Sequence, residues 1–206
     1  MRQIKWIIDP GHGGMAFGRY MTSGKRSPHV PPGIYEGVFN RKVAVRIRDL
    51  VATYNFSKGR VMECELTRLG PINIPLTSRV DFVNSLPFRA HDMALISIHF
   101  NAEGGLKRGQ WGKANGSRLF LSKRSSSGSK RLNKILSRRI DATSIPRRRT
   151  KSVNHTMTTR VKCPAILVET GFMTNKVEAQ WLETYGALAW ANIIFVAMLD
   201  YQEGLR

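Results

Sequence analysis

Apolar positions fall into short runs, and their periodicity separates strands from helices. Five runs predict strands: Ile4–Asp9, Val61–Arg68, Met93–His99, Ser117–Ser122 and Ala165–Glu169. Several are almost continuously apolar, as strands covered on both faces are. Between them, Glu36–Tyr54 places Phe39, Val43, Ile47, Leu50, Val51 and Tyr54 on one stripe, which predicts an amphipathic helix. Thr77–Leu86 predicts a shorter helix, stopped by Pro87. Ser129–Ala142 aligns Leu132, Ile135, Leu136 and Ile140, with Lys and Arg opposite. Asn175, with Glu178 three residues on, predicts a capping box that opens a helix reaching about Tyr201. Within it Leu188–Leu199 is too short to span a bilayer and contains Asn192, so it reads as a core helix. Strands alternating with helices predict a layered α/β domain. Gly18–Gly33, Gly104–Gly116 and Thr143–Asn154 are left as long loops, and neither a repeat nor a second domain is expected.

Composition alters this picture at one point. With 206 residues, 42% hydrophobic and 23% charged, the chain is ordinary for one globular domain. The charge is not ordinary: 33 Lys and Arg against 14 Asp and Glu give +19. Such a field favours a polyanionic partner, whether nucleic acid, anionic membrane or acidic wall polymer. The basic residues gather in GKRSPH, SKRSSSGSKR and PRRRTK. PRRRTK and the net charge support a nucleic-acid-binding reading; the scatter of the remaining charges and the lack of a nucleic-acid motif oppose it. Cys64 and Cys163 stand far apart with no CxxC spacing, which excludes a disulfide framework or a thiolate zinc site and leaves two small buried thiols. The N-terminus MRQIKWIIDPGHGG does not read as a secretory signal, so no export route is expected.

Four polar residues sit at predicted strand ends or a helix start. His12 follows the first strand in IIDPGHGG, Glu36 opens the first helix, His99 ends ALISIH, and Glu169 ends AILVE. Ligands gather beyond the carboxyl ends of strands in open α/β sheets. Two imidazoles and one carboxylate can hold zinc with a fourth position left for water, and a second carboxylate beside that water can move its proton. Each residue also has a plainer reading. His12 can be a solvated turn residue, His99 a satisfied core histidine, and Glu36 a complement to a helix N-terminus. Glu169, directly after four apolar residues, is the hardest to explain without a partner.

The local sequences around these residues resemble the zinc-dependent N-acetylmuramoyl-L-alanine amidases. That family's catalytic domain begins with a strand running into DPGHGG, here IIDPGHGG. Its helix-opening Glu is matched by YEGVFNRKVA, its SIHANA-like strand by SIHFNA, and its closing PAVLVExGFxxN-like motif by PAILVETGFMTN. Arg68 and Arg79 fit as well. The matches run in order from residue 4 to about 183.

The resemblance implies a single three-layer α/β domain, with a mixed, mostly parallel sheet of about six strands and helices on both faces. It implies one zinc ion held by His12, Glu36 and His99, with Glu169 as the catalytic carboxylate. The reaction implied is hydrolysis of the amide between N-acetylmuramic acid and L-alanine in peptidoglycan. The basic surface then suits acidic wall polymers, and nucleic acid is not expected as a partner. No transmembrane segment is expected, and the oligomeric state is not predicted. Without a signal or a wall-binding domain, the reading is a phage endolysin. It would stay in the host cytoplasm until lysis and then act on the cell wall; a secreted bacterial autolysin domain lacking its signal is the alternative. Three departures stand out. Phe100 replaces a small residue and is expected to narrow the site. The basic Gly18–Gly33 insertion leaves Glu63 and Glu65 as outside candidates for the carboxylate ligand. His29, His91 and His155 lack motif context and read as surface or loop residues.

Overall fold

A computed structural model describes residues 3–30, 33–59 and 62–204. In chain order the elements are β1 (Lys5–Pro10), the short hairpin β2 (Met15–Ala16) and β3 (Arg19–Tyr20), α1 (Glu36–Lys58), β4 (Glu63–Leu66), α2 (Leu76–Ser85) and β5 (Met93–Asn101). There follow β6 (Ser117–Leu121), α3 (Ser127–Asp141), β7 (Arg147–Ser152), α4 (Thr156–Thr159), β8 (Ala165–Phe172), α5 (Lys176–Trp181) and α6 (Ala187–Glu203).

Six strands form one sheet in the order β4-β1-β5-β8-β6-β7. The first four run parallel; β6 runs antiparallel to β8, and β7 runs parallel to β6. One face, carrying Trp6, Ile8, Ile96, Ile98, Ile166 and Val168, packs with apolar residues of α1, α3 and α6. The other, carrying Ile7, Leu95 and Ala165, packs under α2 and α4. Burial on both faces is why the central strands read as unbroken apolar runs. From β1 the chain crosses through α1 to β4 on one side, then returns through α2 to β5 on the other. The order therefore reverses between β1 and β5, where an open α/β sheet leaves a crevice at its carboxyl edge.

Several expectations need correction. The predicted loop Thr143–Asn154 contains β7, an edge strand of sequence RRRTKS, and Arg19–Tyr20 of the loop Gly18–Gly33 pairs with Met15–Ala16. Val61, expected to begin a strand, lies outside the described residues, and that strand is Glu63–Leu66. Only half of the capping box forms. Asn175 Oδ1 accepts from the Glu178 N–H at 3.1 Å, but the Glu178 carboxylate accepts from Phe172 N at 2.8 Å and Gly116 N at 2.6 Å. It ties the 116 turn to β8 instead of reaching back. The closing helix is interrupted by a π turn at Leu182–Gly186. From Lys176 to Glu203 the helical stretch is long and apolar enough to cross a membrane by composition. Trp190, Ala191, Ile194, Ala197 and Met198 are nonetheless fully buried in the core, as the core-helix reading expects. Cys64 and Cys163 are free thiols, partly buried and buried, and burial pushes both up to about 12, far from reactivity.

Candidate metal centre

The chain leaves β1 through Gly11, and His12 adopts φ 62°, a left-handed conformation that side chains rarely take. Surrounding bonds hold it there. Gly11 N–H donates to Ile98 O at 3.0 Å, and Asn40 Nδ2 donates to Gly11 O at 3.2 Å. The buried Arg79 guanidinium donates to Pro10 O at 2.8 Å and His12 O at 3.2 Å. Gly11 is required by its neighbour, because a Cβ there would collide with the His99 ring. Gly37 is required too: a Cβ would strike Gly13 O, since the first turn of α1 lies directly on the loop. The run of glycines is what lets His12 and the start of α1 meet.

Glu36, the first residue of α1, is 1% exposed. Its Oε1 accepts from Phe100 N–H at 3.0 Å and lies 3.1 Å from His99 Nδ1 and 3.2 Å from His12 Nε2. The two imidazoles cross nearly at right angles, with ring centroids 5.0 Å apart. One donor atom from each of His12, Glu36 and His99 lies within 4.8 Å of the others. Burial alone would raise the Glu36 pKa, but the hydrogen bonds and charges of the two histidines outweigh it and hold the carboxyl well below its usual range. Burial would likewise lower His99, and its hydrogen bond to Glu36 raises it instead. Glu36 Oε2 is buried with no partner. An orphaned carboxylate oxygen beside two imidazoles fits a divalent cation, and two nitrogens with one carboxylate suit zinc with an open position.

Glu169 lies opposite His99 in the parallel β5–β8 register. Thr170 Oγ1 donates to His99 O at 3.1 Å and pins the two strand ends together. Glu169 Oε2 is also buried without a partner. Burial pushes its carboxyl up to about 7, against the lowering effect of His99 and with the raising effect of Glu36. All four residues singled out in the sequence thus meet at the β1–β5 crevice and its neighbour β8.

The other candidates do not join them. Glu63 and Glu65 sit on the edge strand, paired with Lys5 at 3.4 and 2.8 Å. Phe100 does not narrow the site: it is 4% exposed on the α1 side of the sheet, edge-on to Phe39 with centroids 4.6 Å apart. Its backbone serves Glu36, and its ring serves the core. His29 bonds Gly109 O at 2.8 Å, and His91 is exposed beside Asp92. His155 lies in the loop before α4, as expected, with its Nε2 buried and its ring edge-on to Phe120 at 5.1 Å. Sequence reasoning passed over Arg118, which lies across from Glu169 on the β6 side. Alternation along β6 places it on the site face, but its neighbours in sequence carry no motif.

The fold and this donor set define an α/β protein with a candidate divalent-metal centre at the sheet's switch point. The family model for N-acetylmuramoyl-L-alanine amidase matches residues 7–198, and the chain belongs to that family. Solved structures share the fold. An N-acetylmuramoyl-L-alanine amidase from Clostridium difficile 630 superposes with a TM-score of 0.79 at 24% identity, over 98% of both chains. Ami1 from Mycobacterium smegmatis gives 0.77 at 18%, over 98% of this chain and 97% of that one. The catalytic domain of an endolysin targeting Clostridia difficile gives 0.67 at 18%, over 96% and 97%. No curated protein matches the sequence significantly.

Proposed function

We propose that residues 1–206 form one catalytic domain of a zinc-dependent amidase, which hydrolyses the bond between the lactyl group of N-acetylmuramic acid and L-alanine in peptidoglycan. The observation that carries this is the convergence of His12, Glu36 and His99 with a neutral-range carboxyl on the adjacent strand, one of whose oxygens has no hydrogen-bond partner. His12, Glu36 and His99 would hold the ion. A zinc ion there supplies Lewis acidity and brings the pKa of a bound water to about 7. Glu169 does the proton work. With its carboxyl near neutrality it accepts a proton from the attacking water and returns it to the departing alanine nitrogen, which is otherwise a poor leaving group. The Phe100 N–H holds the Glu36 carboxylate, and Arg79 fixes the His12 backbone.

The decisive experiment is digestion of purified peptidoglycan followed by mass analysis. Peptides with free L-alanine amino termini, lost on chelation and restored by zinc, are expected. Release of other termini, or no release with zinc supplied, overturns the reading, and DNA retention without wall clearing favours the nucleic-acid reading.

The biological setting proposed is phage-induced lysis, with the enzyme held in the host cytoplasm until the membrane is breached. Its support is the fold shared with an endolysin catalytic domain. The +19 charge supports steering toward acidic wall polymers. With a Debye length of about 8 Å at physiological salt, wall affinity should fall as salt rises, and salt-independent affinity contradicts steering.

A further inference from the structure

Glu169 has a neighbour on each side. His99 lies opposite it across β5–β8, and Arg118 lies opposite it across β6–β8. Directly opposed residues share a face of the sheet, so His99, Glu169 and Arg118 form one row across the strand ends. An arginine beside a carboxylate ordinarily pairs with it. Here no hydrogen bond or ion pair joins the two: Glu169 Oε2 and Arg118 Nε are both buried without a partner. The nearest ring contact of the guanidinium is distant, 6.0 Å from the Phe120 centroid. A guanidinium whose buried Nε finds no acceptor is poised for an anionic ligand.

The row also sets a direction. If the carbonyl side of the scissile amide lies over the histidines and its nitrogen at Glu169, the peptide runs on toward Arg118. Adjacent strands are about 4.8 Å apart and one extended residue spans about 3.5 Å, so Arg118 stands one to two residues beyond the amide nitrogen. We propose that Arg118 forms a carboxylate-binding subsite. It would select stem peptides whose residue after the alanine keeps a free carboxylate over those in which that carboxylate is amidated. This rests on the amidase reading and adds to it the chemical class of the preferred substrate.

The test uses two peptidoglycan preparations that differ in amidation of that residue. The wild type should release peptides about tenfold faster from the acid form at limiting substrate, the scale of one charge-assisted hydrogen bond. Arg118→Gln should bring the ratio of the two rates close to one, through KM, and Arg118→Lys should retain part of the preference. Equal wild-type rates, or an unchanged ratio in Arg118→Gln, overturn the subsite. The ratio is internal to each variant, so partial misfolding does not imitate it. Calorimetric titration with L-alanyl-D-isoglutamate and its amide reads the same subsite without turnover. Tighter binding of the acid, lost in Arg118→Gln, supports it even if no preparation is cleaved; equal binding overturns it. Absence of cleavage from both preparations by the zinc-supplied wild type counts against the amidase reading alone.

Discussion

Two carboxylates lie within one crevice of this sheet, both buried, both with pKa values below the usual range, and they are held in opposite ways. Asp9 is completed by protein. Its Oδ1 accepts from Thr67 Oγ1 at 2.5 Å and Arg79 at 2.9 Å, and its Oδ2 accepts from Ser97 Oγ at 2.6 Å. Glu36 is left incomplete, with one oxygen shared among two imidazoles and a backbone N–H and the other without a partner. The Asp9 cluster spans β1, β5, α2 and the segment after β4, and it builds the floor under His12. The Glu36 cluster faces the crevice. A closed network stiffens a structure; an open one, costly by itself, marks where a ligand supplies the missing partner. Glu169 belongs with the open set.

The widest separation between the two sets should appear in rate. Glu169→Gln is expected to lower kcat by about 10²–10⁴ while zinc content, measured by elemental analysis, stays unchanged. Its stability signature has a definite sign. The folded carboxyl titrates near 7, above the unfolded value of 4.5, so the folded state keeps a proton that the unfolded state gives up. Stability therefore falls as pH rises between those values, and the full penalty holds above about 7. Metal-free Glu169→Gln should be more stable than metal-free wild type at pH 8, with the gap closing toward pH 4 in urea unfolding. Near-normal turnover would remove Glu169 from the open set.

Asp9→Asn should do the reverse, costing about 3–5 kcal/mol in urea unfolding because Arg79 is left as an uncompensated buried charge. Burial would raise the Asp9 pKa, but the Arg79 charge and the Ser97 and Thr67 hydroxyls bring it below 3.8. The stability it contributes is present above the unfolded value and is lost as pH falls through the folded one. Acidification below about pH 4 should thus weaken the wild type more than Asp9→Asn.

The closed and open sets were unequally legible in sequence. His12, Glu36, His99 and Glu169 stand in motifs, and β1, β5 and β8 announce themselves as apolar runs because both faces are covered. β7 does not, since RRRTKS is an edge strand whose charged side chains meet solvent, a composition that guards an edge against pairing and erases the apolar signal. Arg118 was hidden for a related reason: one arginine on an alternating strand reads as a solvated position until the partner strand shows what lies opposite. Glu178 showed the correct spacing for a cap, yet its carboxylate found two backbone donors brought close by tertiary structure. Arg79 could be aligned by motif, but its five acceptors, from Asp9 to Ile74, come into view only in the fold.

Between rate and global stability lies the geometry that joins the sets. Gly11→Ala places a methyl against the His99 ring while leaving every donor residue present. Displacing one imidazole should weaken zinc affinity by about 10–100-fold, the range seen when groups orienting a ligand are lost. Competition with a chromogenic chelator measures this. Unaltered affinity would mean that the ring has room to move and that the glycine serves the turn alone.

The smallest effect sharpens the boundary of the open set. Phe100 contributes a backbone donor to Glu36 and a ring to the opposite core, so the two roles separate in Phe100→Leu. Leucine keeps the N–H, and the loss should be about 1 kcal/mol, the edge-to-face pair with Phe39. Zinc affinity and the relative rates on short and cross-linked wall fragments should not change. A side chain that constricted the crevice would instead yield faster cleavage of the bulkier fragments when shortened. That outcome would place the Phe100 ring on the site face, against the strand alternation that turns His99 toward the crevice and Phe100 toward the α1 core.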